Sequence, residues 1–255
     1  MHHQYIDRYA RGDSAVHQLD ARTKLLCALF FTCYVVSVPK YQISPLIPLI
    51  LLPFAWISFA GIPWRFVGKH ILICSPFIVT LAVFNPMFDR TSHSVAILGQ
   101  RVHLAGGYLV AVNLLVKYLL GLSCLVALAS TTRFDHLLLA LTKFRLPRIL
   151  ILQLSYLYRY LFELIEQAHE ILRARRARSA GRLPLSLKIR SAAGMVGILF
   201  VRSYESSQKV FLAMQARLYN GELRPVHQLH VRTVDVVLLF SVMTYLAFCF
   251  WITHQ

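Results

Sequence analysis

Four arginines crowd six positions in the run RARRARSAG (173–181), and a second Ala-Arg pair follows in AMQARLYNGE (213–222). A guanidinium holds a rigid fork of donors suited to bidentate capture of a carboxylate or phosphate. Both pairs, Ala177-Arg178 and Ala216-Arg217, stand just before residues that break helices, Ser179-Ala180-Gly181 and Tyr219-Asn220-Gly221. Other strings in the chain invite chemistry and are weaker. GIPWRFVGKH (61–70) resembles a phosphate-cradling loop but has the wrong spacing, with His70 where a magnesium-binding hydroxyl belongs. Met1-His2-His3 and His227-Gln-Leu-His230 have metal-ligand types without carboxylates or cysteines to complete a shell. They read as a tail and a solvated linker. No catalytic constellation stands out, and any ATP-derived energy has to come from a partner.

The segments that carry these residues lie in an apolar chain. It has 255 residues, 57% hydrophobic and 15% charged, with net charge +16 and mean hydropathy +0.56. Soluble domains are nearer a quarter charged, and here the apolar residues come in blocks. Five blocks predict membrane crossings: 25–38, 43–60, 71–84, 107–129 and 234–252. Prolines 39, 45, 48 and 53 predict kinks around the first two. The polar first 24 residues, with Asp7, Asp13 and Asp20, do not read as a cleavable leader. Cys27, Cys33, Cys74, Cys124 and Cys249 lack CxxC spacing and read as buried small hydrophobes.

Basic residues set the orientation. Arg8, Arg11, Arg22 and Lys24 precede the first block, and residues 133–232 hold 17 Lys/Arg against 6 Asp/Glu. The positive-inside rule puts both regions in the cytoplasm, with four crossings between them. This accounts for the basic charge without nucleic acid; the aromatics lie on apolar faces and are not interleaved with the arginines. Asp235 stands at the cytoplasmic edge of the last crossing, where it snorkels or caps the helix. Lys117, inside the fourth, needs a partner.

Between the fourth and fifth crossings the pattern is amphipathic. Leu150, Leu154, Leu157, Leu161, Leu164, Ala168 and Ile171 recur at three- and four-residue steps, opposite Arg159, Glu163, Glu166, Glu170 and Arg173. This predicts a helix over 149–178, about 45 Å long. A second runs from about Leu187 to Leu218, with Val196, Phe200, Tyr204 and Phe211 on one face. Helices of this kind also lie on anionic membrane surfaces, but equivalent terminal arginines on both favour a protein partner. Gly194 and Gly197 would permit close helix contact.

At these residues the chain resembles the transmembrane T component of energy-coupling-factor (ECF) transporters, in its cobalt/nickel branch, the CbiQ family. LDARTKLL (19–26) is similar to the family's Asp-Pro-Arg-x-Lys-Leu approach to the first membrane helix, with Ala21 for proline and Asp20, Arg22 and Lys24 as its structural motif. IDRYARGDSAVH (6–17) resembles the branch's N-terminal extension, and 156–179 and 197–222 resemble its two coupling helices. The resemblance implies an all-α membrane protein: an N-terminal tail and four crossings over 1–132, a cytoplasmic coupling module over 133–232, and a closing crossing over 233–255. It implies a non-catalytic subunit in the inner membrane of a bacterium or archaeon, driving cobalt or nickel uptake. Ala177-Arg178-Ser179 and Ala216-Arg217-Leu218 occupy the positions of the family's Ala-Arg-Gly motifs, each docking in a groove on one of two ATP-binding subunits. Leu218 in place of glycine loses backbone freedom, so the second helix is expected to extend or dock differently. The implied partners are two cytoplasmic ATPase subunits, a separate substrate-binding membrane subunit and lipid. No cofactor or metal is expected on this chain, ATP being bound by the partners. The alternatives are a vitamin ECF system, or a membrane scaffold or enzyme whose basic helices bind lipid.

Overall fold

The computed structural model describes residues 12, 14, 16–88, 92–97, 100–144, 146–178, 184–219 and 232–254. They form two compact units, one of Gln4–Lys143 with Leu229–Gln255 and one centred on Phe144–Gln228.

The first unit holds the apolar helices. Asp20 caps α1 (Ala21–Ser37), its side chain accepting the Arg22 N–H at 2.9 Å. Pro39 follows the helix end, where the preceding residue cannot stay helical. The second apolar block is broken in two: α2 (Leu46–Leu49) and α3 (Leu51–Ala60) meet at Ile50. Pro48 and Pro53 each lack the N–H that would continue the ladder. Gly61 ends α3 in the left-handed conformation at φ +67°, a geometry glycine adopts at no steric cost.

Next comes α4 (Trp64–Phe88), with Pro76 and Pro86 inside it. Pro76 cannot serve the carbonyl of Leu72, and the Ser75 hydroxyl donates to that oxygen at 2.9 Å instead. A short antiparallel hairpin follows, β1 (Ser92–Ile97) with β2 (Gln100–Ala105), Ser92 pairing with Ala105 and Ile97 with Gln100. It was not expected, because the alternation in SHSVAI is weak and Leu98-Gly99 is no strong hairpin signal. Otherwise the described residues in regular structure are helical.

The centre of the unit is α5 (Gly106–Thr131), which packs on α1, α2, α3 and α4. The short α6 (Phe134–Lys143) lies on α1, as does α9 (Thr233–His254). One core joins α1, α2, α5 and α9 through Phe31, Val35, Leu46, Leu49, Cys124 and Leu246. Another joins α3, α4 and α5 through Ile57, Val67, Val126 and Ala127. Helices α4, α5 and α9 are long and apolar enough to cross a membrane. The two remaining expected crossings are α1, about 26 Å long, and the broken α2–α3 pair. Leu72, Phe77 and Phe240 point outward and are more than two-thirds exposed, as a lipid-facing surface requires. Cys27, Cys124 and Cys249 are buried and form no disulfide among the described residues, as expected, whereas Cys33 and Cys74 face outward.

Polar side chains within the apolar helices donate to backbone carbonyls of neighbouring segments. Asn113, 2% exposed, donates to the carbonyls of Gln42 at 2.7 Å and Pro39 at 3.4 Å. Lys117 donates to the carbonyls of Val36 and Val38, which supplies the partner its charge needs. The Tyr118 hydroxyl reaches Ile71 O at 2.7 Å.

The second unit is two helices, α7 (Arg148–Arg178) and α8 (Leu185–Ala216). The Tyr156 hydroxyl, near the start of α7, donates to Met214 Sδ at 3.6 Å near the end of α8. Arg178 and Leu187 line one groove at the other end, so the helices run antiparallel. Gly194 and Gly197 face open space, with no described residue within 4 Å of a Cβ built at either.

Replacing Asn113 by leucine takes the Asn113 donor from the Gln42 carbonyl in an apolar setting and leaves the Pro39 carbonyl with the Gln42 N–H. We expect a loss of about 1–3 kcal/mol, read as a lower melting temperature of the detergent-solubilised protein, and an unchanged melting temperature would remove this role for Asn113.

Candidate functional site

Helix α7 ends with Arg175, Arg176 and Arg178 in its last turn, where cations suit the negative end of the helix dipole. That favourable charge placement accounts for basic residues there, but not for a particular terminal pair. Ala177 and Arg178 are both exposed, and Ser179 lies outside the described residues.

The end of α8 is more informative. Ala216 is its last helical residue and Arg217 its C-cap. Leu218 is left-handed at φ +55°, a conformation adopted by no other described non-glycine residue. Its N–H donates to Gln215 O at 3.0 Å and the Tyr219 N–H to Met214 O at 3.1 Å. These are the two reversed hydrogen bonds of a Schellman ending, in which glycine normally occupies the left-handed place. For leucine that place costs roughly 1–2 kcal/mol. The expected extension therefore does not occur: α8 stops where a glycine would stop it, and the 91% exposed Leu218 side chain projects outward beside Arg217. Tyr219 turns back, its hydroxyl buried. Burial first, and the neighbouring Tyr219 hydroxyl second, push the Tyr156 phenol up to about 12, so it is neutral at physiological pH.

The antiparallel pairing puts the two Ala-Arg tips at opposite ends of the unit, with most of α8 between them, about 45 Å. At the α7 tip a groove of about 750 Å³ carries Arg175, Arg178 and Arg202 around Ile171 and Met195, with Glu170 on its wall.

Asp20, Arg22 and Lys24 sit in a different place, where α1 begins. Lys24 is 2% exposed. Its ammonium donates to Thr131 O at 2.9 Å, at the end of α5, and to His17 O at 3.2 Å. Asp235 and Asp20 are the carboxylates whose charges act on it. Asp235 is 1% exposed, and so buried rather than snorkelling. One of its oxygens accepts the Asp20 N–H at 2.9 Å, from 215 residues away, and the other accepts the Arg232 N–H at 2.8 Å. The second bond closes the start of α9 in the manner of a capping box. The first fastens α9 to α1, which nothing local in the sequence announced; the signal available was a lone carboxylate beside a membrane helix. Arg22 contributes its backbone N–H to the cap, and its Nε is buried with no hydrogen-bond partner among the described residues.

Other candidate strings resolve simply. Gly61 caps α3 and residues 64–70 form the first turns of α4, so GIPWRFVGKH is no phosphate loop. His2, His3, His227 and His230 lie outside the described residues. Among the described residues no group of three His, Cys, Asp or Glu side chains is placed to hold a metal.

Comparison with known proteins connects these features. The family model for CbiQ, described as cobalt transport protein, matches residues 12–230. The chain belongs to the CbiQ family. Among its relatives is an uncharacterized protein of Methanocaldococcus jannaschii, 24% identical over 247 residues, covering 94% of this chain and 83% of that one. The energy-coupling factor transporter transmembrane protein EcfT of Bacillus subtilis is 25% identical over 226 residues, covering 85% and 84%. A putative fused cobalt transport protein CbiMQ of Methanocorpusculum labreanum is 29% identical over 131 residues, 51% of this chain and 22% of that protein. As a CbiQ-family member the chain is a non-catalytic transmembrane component of the ECF transporter class.

Two substitutions test the geometry. Leu218→Gly relieves the left-handed strain and should stabilise the end of α8 by about 1 kcal/mol, read as slower hydrogen exchange at the amides of 218 and 219; faster exchange would contradict the assigned ending. Asp235→Ala removes two hydrogen bonds to a buried carboxylate and should cost about 2 kcal/mol or more in detergent melting, and a neutral effect would dismiss the α1–α9 tie.

Proposed function

We propose that this chain is the force-transmitting subunit of a cobalt or nickel importer. Arg178 and Arg217 each dock on one of two cytoplasmic ATP-binding subunits. When those subunits close on ATP, α7 and α8 are displaced, and the movement reaches a separate membrane subunit that holds the metal and releases it inside. In this reading the N-terminus and the α7–α8 unit are cytoplasmic, as the basic residues of 133–232 favour. Cobalt is the preferred cargo because the matching family is described as cobalt transport and one relative carries that name.

The observation that carries the reading is the end of α8. A leucine accepts the left-handed conformation, so that α8 ends at Ala216 with the exposed Arg217 as its cap, just where the chain turns. A lipid-binding helix needs no such ending; its affinity follows total basic charge. A docking arginine does, because its position relative to the helix axis has to be fixed for a bidentate contact. Two such tips about 45 Å apart suit two partner subunits better than one.

A charge-assisted hydrogen bond is worth roughly 1.5–3 kcal/mol. Arg178→Ala or Arg217→Ala should therefore weaken association with the ATPase subunits by about tenfold or more, and the double variant should abolish metal uptake by the reconstituted complex while still inserting in the membrane. Normal assembly and uptake by the double variant would overturn the proposal. A loss of binding that merely tracks total charge and ionic strength would favour the lipid reading.

A further inference from the structure

A second polar site lies apart from the helix tips. Where α1 begins and α5 ends, a cavity of about 350 Å³ is lined by Lys24, Thr132, Arg133, His17 and His136, among others, with no carboxylate among its described lining residues. Lys24 gives two of its three ammonium protons to carbonyls, Thr131 O and His17 O. Asp20 and Asp235 act on its charge but do not line the cavity. Thr132 is 7% exposed, and its hydroxyl oxygen is buried with no hydrogen-bond partner among the described residues. A buried hydroxyl without a partner costs free energy unless something else supplies one.

The location narrows the ligand. Thr131 is the last residue of α5, a helix long enough to cross the bilayer, and Asp235 stands in the first turn of α9, another. A site at the ends of two crossing helices sits at headgroup depth, where basic pockets between helices meet anionic lipid. We propose that this cavity binds the phosphate group of an anionic phospholipid headgroup, held by Lys24 and Arg133 with His136 and the Thr132 hydroxyl beside them. An ammonium, a guanidinium and a hydroxyl are donors to which phosphate oxygens offer short, charge-assisted bonds. A bound headgroup would brace the junction of α1, α5 and α6 at the membrane surface. The inference stands apart from the docking of Arg178 and Arg217, and its test changes those residues only as a control.

The test uses the full-length chain, purified in detergent and delipidated, titrated with short-chain phosphatidylglycerol, phosphatidylcholine and inorganic phosphate. We expect phosphatidylglycerol to bind in preference to phosphatidylcholine and to raise the melting temperature. Arg133→Gln/His136→Gln should weaken that binding by about tenfold, and Arg178→Gln/Arg217→Gln should leave it unchanged. If the first variant melts lower than the parent, His136→Gln alone, with Arg133→Lys as the charge-conserving control, carries the same comparison. Equal binding of the two lipids, or equal phosphatidylglycerol binding by parent and variant, would overturn the site. Inorganic phosphate binding as tightly as the lipid would overturn the headgroup assignment and leave free phosphate as the source.

Discussion

Inside a bilayer no water is present to satisfy a stray backbone carbonyl, so each one that proline or a helix end releases has to find a donor within the protein. This constraint explains polar residues that would otherwise look misplaced in so apolar a chain. Asn113, Lys117 and Ser75 all donate to main-chain oxygens freed by helix ends, connections or Pro76. The same rule operates at the membrane edge, where Lys24 closes the end of α5 and Asp235 the start of α9. Because Asp235 also accepts from Asp20, the ends of α1, α5 and α9 are fastened at one place. The helices that carry the Lys24–Asp235 fastening thus form a frame that resists independent movement.

The α7–α8 unit is built on opposite terms. No residue of α8 is buried, and on α7 only Ile151 is. Val196, Phe200 and Phe211 are each more than half exposed. An element with so few buried contacts has little local stability of its own and takes its position from whatever covers it. That is the property a transmitting element needs: stiff along each helix, where hydrogen bonds run unbroken, and responsive between them. The Tyr156–Met214 contact holds one end of the pair together. At the other end an arginine-lined groove separates the helices.

Much of this was legible in the sequence wherever a single period decides the outcome. The back-to-back stripes of 149–178 gave α7 to within a residue of its observed Arg148–Arg178 span, the single apolar face from Leu187 placed α8, and the apolar blocks placed α1, α4, α5 and α9. The entrance motif could be read only as a pattern, since the partners of Lys24 and Asp20 come from Thr131 and Asp235, far along the chain. No local periodicity encodes a bond across 215 residues. Leu218 was misread for a related reason. Its intrinsic preference argues for a continued helix, and the energy that reverses this lies in two backbone hydrogen bonds. The hairpin at 92–105 escaped notice because neither its alternation nor its turn is strong.

The central claim is that the two arginine tips are sockets for two separate motor subunits. Photo-crosslinking from positions 177 and 216 in the assembled transporter addresses it most directly, because it reports which neighbour touches each tip. The account predicts ATPase adducts from both positions, with both tips of one chain captured by different ATPase copies. Adducts confined to lipid, or both tips captured by a single subunit, would contradict it.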